Sequence, residues 1–498
     1  MSIRSFVILG ATLVFGLAGS LARPAPLPPV PVPTENPITE AKRVLGKVLF
    51  WDEQLSSDNT VACGTCHVPS SGGADPRFGR NTGTDAGTID DVWGSPGIAL
   101  LDADGNAAEH PMFGYEAQIG RRIAPSSFGA LWAEVVFWDG RAGPELLDPL
   151  TGETVIRAGG ALESQALAPL MDSAEMAKQG RTWAELTGKL ERERPLALAA
   201  DLPADVAAAI AAHGDYPALF ASAFGDPGIT PVRIAFAIAT YQRTLLADQT
   251  PWDRYMAGEE SAMAREAQLG WETFQAWSCV QCHEPPLFTS NEFFNIALRR
   301  HEYDHGREEV TGDPEHRGDF KVPSLRNVGL RTRFMHTGEF GSVAETVALY
   351  DSPPALPGRD ALPDGRRYHF NLTTYEQYDL QSFLVAGLTD PRVANEEFPF
   401  DRPTLRSERG EGDVVPPETP AGFSAQAAPD GVRLRWAAPG EATGVLDYVL
   451  RRDGRVIAVT TATSFLDRQA AGATPRYSLV ARDAAANASP AVTAAAAR

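Results

Sequence analysis

Three hydrophobic patterns run along the chain. In RIAFAIATYQRTLL the residues Ile234, Ile238, Tyr241 and Leu245 recur at helical spacing, which predicts an amphipathic helix with one buried face. RVLGKVLF (Arg43 to Phe50) and AQLGWETF (Ala267 to Phe274) share L-G-x-x-x-F on stretches that read as helix, a weak internal repeat. Beyond Arg406 the period falls to two. GVRLRWAAP, DYVLRRDGRVIAVTT, TSFLDR and RYSLVARDAAANAS alternate between turn signals as short antiparallel strands do, with Trp436 and Tyr477 at core positions. From Cys63 to Trp138 the chain is rich in Gly, Asp and Pro and reads as long loop. GTDAGTIDD and DADGN there resemble acidic calcium loops without a full EF-hand pattern, and tight Asp-Gly turns are the alternative.

The N-terminus carries Arg4, an apolar run from Phe6 to Leu17, and the small-residue pattern Ser20-Leu21-Ala22. This predicts an export signal over residues 1–22, with an uncleaved anchor as the alternative. RPAPLPPVPVPTENP follows as a Pro-rich spacer over residues 23–37. No other run approaches the ~20 apolar residues of a membrane helix, so no span is expected once the signal is removed.

Hydrophobic content of 43% and charged content of 22% are ordinary for a globular protein. The formal charge of −20 argues against nucleic acid as a partner. It suits a basic redox partner, or simply a solvated acidic surface. All four cysteines lie in two C-x-x-C-H motifs, Cys63-Cys66-His67 and Cys279-Cys282-His283. An exported chain often uses cysteine for disulfides, but this motif reads as covalent c-type haem attachment, with the histidine as iron ligand. A thioredoxin-like redox pair would explain neither the histidine nor the duplication.

The fold class expected is mainly α: two cytochrome c-like helical haem domains with long loops, followed by an all-β sandwich. The haem domains are expected over residues 38–250, closed by the Ile234 helix, and 251–405, opened by TPWDRYMAG. A linker over 406–418 leads to a domain over 419–498 that resembles fibronectin type III.

Five stretches in order resemble one family, the bacterial di-haem cytochrome c peroxidases, which include the MauG enzymes. They are LGKVLFWDEQLSSDNTVACGTCH, FWDGRA (Phe137 to Ala142), QALAPLMDSAEM (Gln165 to Met176), CVQCHEPPLF, and FKVPSLRNVGLRTRFMHTG (Phe320 to Gly338). The resemblance implies two covalently bound haems c and His67 and His283 as proximal ligands. It makes Glu175 the acid–base carboxylate, in a pocket shaped by Gln165 and Pro169, and Trp138 the relay between the haems. Many members place a distal histidine beyond the first motif. The matching position here is Gly83, so the first haem is expected to be five-coordinate or to carry water, with His110 as the alternative ligand. The second haem takes methionine in typical peroxidases. Counting from His336, the matching residue is Tyr350, as in the MauG branch, with Met335 as runner-up. A phenolate stabilises oxidised iron.

The family also holds a calcium ion between its haems, through two carbonyls that map to Arg331 and Arg333 and an asparagine whose place is taken by Ile123. One calcium is thus an expectation with a ligand missing. The first functional reading is an exported, periplasmic peroxidase that reduces hydrogen peroxide to water with electrons from a small c-type cytochrome. The second is a MauG-like oxidase of a protein or organic substrate. The third is a non-enzymatic two-haem electron carrier. The family also allows a homodimer.

Overall fold

Six helices position the site: α1 (Glu40–Trp51), α2 (Ala161–Met171), α3 (Pro231–Gln242), α4 (Arg265–Ala276), α5 (Val343–Asp351) and α6 (Thr374–Ser382). The computed structural model describes residues 26–83, 86–88, 90–298, 303–351, 370–409, 416–439, 445–470, 475–483 and 488–496. The expected export signal lies outside them. Helix α1 starts after Thr39, whose hydroxyl accepts the Lys42 amide at 3.3 Å, satisfying one of the first-turn donors.

The two L-G-x-x-x-F stretches form α1 and α4, and each glycine marks a helix crossing. A Cβ on Gly46 would stand 1.9 Å from the Ala237 carbonyl oxygen of α3. A Cβ on Gly270 would stand 1.9 Å from the Asp379 carbonyl oxygen of α6. Only a residue without a side chain lets the backbones approach so closely. Phe50 and Phe274, which end the two repeats, are both buried. The halves are therefore built alike, which is the physical content of the repeat. Gly270→Ala is expected to lower stability by about 1–3 kcal/mol through overpacking. That outweighs the ~1 kcal/mol that alanine gains in helix propensity. Thermal denaturation of the variant beside the parent checks it.

The first core gathers Leu45, Leu49, Leu170, Phe220, Ile234 and Ile238, and the chain returns to it late with Val393, Phe400 and Leu405. Ile234, Ile238, Tyr241 and Leu245 are all buried, as the helical spacing requires. A second core is largely aromatic, with Trp252, Trp271, Phe274, Phe288 and Phe383. A third lies in the C-terminal β region. There β1 (Ala421–Ala428), β2 (Gly431–Ala437), β3 (Val445–Arg452), β4 (Arg455–Thr460), β5 (Ser464–Asp467), β6 (Arg476–Asp483) and β7 (Val492–Ala495) form two antiparallel sheets, ordered β5-β2-β1 and β4-β3-β6-β7. Leu434, Trp436, Leu450, Tyr477 and Leu479 fill the space between them.

Three connecting segments are more ordered than their composition suggests. In the Pro-rich segment the carbonyls of Pro28 and Pro31 accept from Trp132 Nε1 (3.1 Å) and Arg243 Nε (3.0 Å). An extended Pro-rich segment leaves its carbonyls free, so donors from the Ala130–Trp132 turn and from the C-terminal end of α3 can hold it down. Within the long loop, Gly79–Asn81 pairs with Val92–Gly94, and Pro96–Ala99 with Ala117–Ile119. At the start of the linker the Arg406 and Ser407 amides donate to the Glu53 carboxylate at 2.8 and 3.0 Å. The β region also touches the long loop, where the Ala107 amide donates to the Val459 carbonyl at 3.1 Å. No helix among the described residues is long and apolar enough to cross a membrane.

Candidate functional site

Cys63–Cys66 is a single helical turn, and the chain after His67 folds back over two left-handed glycines, Gly72 and Gly73. That reversal brings the Gly73 carbonyl to 3.0 Å from His67 Nδ1. In the second motif His283 Nδ1 lies 3.1 Å from both the Phe288 and Pro323 carbonyls. A carbonyl can only accept, so in both rings Nδ1 carries the proton and Nε2 presents its lone pair, the arrangement of a metal-ligating histidine. Burial holds His283 down at about 4 and lowers His67 as well, so both rings are neutral. The four thiols form no disulfide. Burial pushes Cys63 up to about 12 and Cys279 to about 11, the reverse of the depressed pKa that a thiol–disulfide redox pair needs.

A cavity of about 480 Å³ opens beside the first motif. Cys63, Cys66 and His67 line it together with Trp138, Gln165, Pro169 and Glu175. Residues far apart in sequence thus meet in one space. Gln165 and Pro169 come from α2, and Glu175 from the turn after it. Asp172 builds that turn: its side chain accepts from the Ala174 amide at 2.7 Å and its carbonyl from the Glu175 amide at 3.2 Å. Gly97 presses on the same turn, because a Cβ there would stand 1.8 Å from the Ala174 carbonyl oxygen. Burial raises the Glu175 pKa to about 7, the nearby Asp172 carboxylate adds to this, and Arg141 opposes it. A carboxyl group that titrates near neutrality can both take and return a proton. His67 is the one histidine among the lining residues. Gly83 is not among them and sits against Asp90. His110 is not among them either; its Nδ1 accepts the Met112 and Phe113 amides, and its ring stacks on Phe113.

Trp138 joins this cavity to the C-terminal half. It is 6% exposed, and its Nε1 donates to the Ile123 carbonyl at 2.8 Å. Its indole meets the His336 imidazole edge-on at 6.3 Å, and His336 stacks on Phe320 at 3.6 Å. Arg122 lies over the Phe320 ring at 5.3 Å and is itself clamped by Asp139 (2.5 Å) and Asp304 (2.6 Å). The residues before Trp138 and His336 both have left-handed backbones, Phe137 at φ 72° and Met335 at φ 62°. Such conformations are costly for bulky side chains and persist where surrounding contacts dictate them. Sequence reasoning named Trp138 and His336 but missed Phe320, which opens a quoted segment, and Arg122, which adjoins Ile123.

In the second half, Tyr350 lies on α5 with its ring 6.3 Å from Phe370, which is 6.0 Å from Trp277. Trp277, Phe370 and Cys279 all pack against the second core, so Tyr350 belongs to the side of the molecule that carries the second motif.

These residues fit a porphyrin. The cavity is of ligand size, and both motif histidines keep Nε2 available. Two cations, one buried and one partly buried, also stand without an acid among the described residues. Arg331 is 8% exposed, and its Nε and Nη2 meet no acceptor among the described residues. Lys321 lines the cavity, and burial lowers it to about 7. A buried charge needs a counter-charge, and a haem brings two propionate carboxylates. Calcium does not fit in the same way. Ile123 puts a buried apolar side chain where an oxygen ligand is expected, and no group of three or more His, Cys, Asp or Glu among the described residues could hold a metal.

A family model described as di-haem cytochrome c peroxidase matches residues 40–261. The chain is 30% identical to the methylamine utilization protein MauG of Paracoccus denitrificans, over 64% of this chain and 76% of that protein. It is 28% identical to the cytochrome-c peroxidase IdrP1 of Denitromonas iodatirespirans, over 74% of this chain and 87% of that protein. Among solved structures it superposes on a MauG-like protein associated with microbial copper homeostasis with TM-score 0.53 and 24% identity. That match covers 77% of this chain and 98% of the other, a likeness of fold.

Proposed function

Because the chain belongs to the family of di-haem cytochrome c peroxidases, MauG included, it is a di-haem peroxidase-type oxidoreductase, and we propose how its residues reduce hydrogen peroxide to water. The observation that carries this reading is the meeting of Cys63, Cys66, His67 and Glu175 in one cavity, with the carboxyl group held near neutrality. Bound there, haem would supply the redox-active iron. His67 would ligate it, with its ring oriented by the Nδ1 bond to the Gly73 carbonyl. Gln165 and Pro169 shape the wall across which peroxide enters. Glu175 takes the proton from one peroxide oxygen and returns it to the other, so that O–O cleavage leaves water. In total, hydrogen peroxide, two electrons and two protons give two waters. The electrons come from a c-type cytochrome, by way of the second motif and Trp138. Steady-state oxidation of reduced cytochrome c by peroxide, with the holoprotein as catalyst, tests this reading. No turnover above the haem-free background would overturn it.

A second reading, oxidation of a protein or organic substrate, draws support from Tyr350. A phenolate on the second iron would disfavour its reduction by a cytochrome. Tyr350→Met is expected to raise the midpoint potential of that haem by an appreciable part of the ~0.8 V span that axial ligands command. Potentiometric titration followed in the Soret band checks it. An unmoved potential removes Tyr350 from the coordination sphere. Slow return of the peroxide-treated protein to its resting spectrum favours the oxidase, and fast turnover with reduced cytochrome c favours the peroxidase. We further assign export to the periplasm on the Arg4 to Ala22 pattern. The β region suits a fibronectin type III-like role as spacer or adhesion module, on its three- and four-stranded sheets and the Tyr477 hydroxyl bond to Asp467 at 2.9 Å.

A further inference from the structure

Arg331 sits where the loops that hold the two motif histidines meet. Its Cγ would be 3.2 Å from a Cβ on Gly72, in the loop whose next residue, Gly73, accepts from His67. On its own side it ends the segment that begins at Pro323, whose carbonyl accepts from His283. Its neighbour Leu330 packs against the first core. The guanidinium is thus buried at the junction of the halves, with Nε and Nη2 both unsatisfied. These two atoms form one edge of the group, the fork that grips a carboxylate through two parallel hydrogen bonds. No carboxylate of the described residues reaches it, and Arg331 donates no side-chain hydrogen bond there.

The junction is poorly made for a divalent cation. Calcium takes six to eight hard oxygens, usually several of them anionic. The Arg331 and Arg333 carbonyls accept no backbone hydrogen bond among the described residues, but both residues bring cationic side chains. The Arg333 guanidinium lies over the rings of Phe78 (3.9 Å) and Trp93 (4.9 Å). The third position, Ile123, is 1% exposed and apolar. Its backbone is also committed, the amide to the His336 carbonyl and the carbonyl to Trp138 Nε1.

We propose that Arg331 supplies the positive charge of this junction in place of a metal ion, pairing side-on with a haem propionate, and that no calcium is bound. The proposal rests on haem occupancy of the two motifs and not on peroxidase turnover, so loss of activity does not decide it. The test uses the holoprotein. Elemental analysis is expected to find far less than one calcium per chain. EGTA followed by excess calcium chloride is expected to leave the absorption spectrum and thermal midpoint unmoved. Arg331→Met is expected to shift the propionate-bending bands in resonance Raman and to move the midpoint potential of the paired haem downward, because an uncompensated carboxylate favours ferric iron. Arg331→Lys, which keeps the charge and loses the fork, is expected to recover part of the potential and little of the Raman signature. One tightly held calcium whose removal alters the spectrum would overturn the proposal. So would Raman bands and potentials unchanged in Arg331→Met. Should that variant fail to take up haem, the lysine variant and the calcium analysis of the parent decide it.

Discussion

Glu175→Gln holoprotein reduces hydrogen peroxide about 10²–10⁴-fold more slowly than the parent, the usual contribution of a positioned acid–base group. Glutamine keeps the size and polarity of the side chain, so haem content and resting spectrum are expected to stay at parental values. The pH profile gives the sharper readout. Burial, with help from Asp172, holds the carboxyl near 7. The form that accepts a proton from peroxide is the carboxylate. The parent kcat/KM is therefore expected to fall about tenfold per pH unit below that value and to level off above it. Glutamine does not titrate there, and the low-pH limb should vanish with the rate. Asp172→Asn removes the like charge and should move the limb toward lower pH. A Glu175→Gln protein with the parental rate and the parental limb would remove this residue from the proton path.

The second large effect is expected at Trp138. Trp138→Phe keeps an aromatic ring but loses the Nε1 bond to Ile123 and part of the contact with His336. Steady-state turnover with reduced cytochrome c is expected to drop about 10–100-fold, some 1.4–2.7 kcal/mol of barrier. A single reaction of peroxide with the fully reduced protein, followed at the first motif by stopped flow, should proceed at nearly the parental rate. The split arises because Glu175 and His67 are untouched, while the connection to the second motif is weakened. Equal losses in both measurements would show that Trp138 shapes the cavity and does not connect the halves.

Much of this was legible before any coordinates. Covalent haem attachment is a contiguous device, so C-x-x-C-H declares itself in five letters. Helical burial is periodic, so Ile234, Ile238, Tyr241 and Leu245 announced their face. Strand alternation announced the β region in the same way. The L-G-x-x-x-F repeat was visible too, but its reason was not. That Gly46 and Gly270 each lie under another helix's carbonyl is a statement about a partner far away in sequence.

What the sequence determined by itself was local: two C-x-x-C-H motifs, each with its histidine, and elements whose buried faces follow a period. Tertiary structure decided everything that depends on juxtaposition. It bonded the Pro-rich segment to Trp132 and Arg243, stacked Phe320 on His336 beside Trp138, and put Glu175 within the cavity of Cys63 and His67. It also left Arg331 buried without an acid among the described residues. The physical reason is that periodicity records only how often a residue faces inward. Which groups share a space, and which charge lacks its counterpart, depends on loops of irregular sequence and on desolvation, and both exist only once the chain has closed on itself.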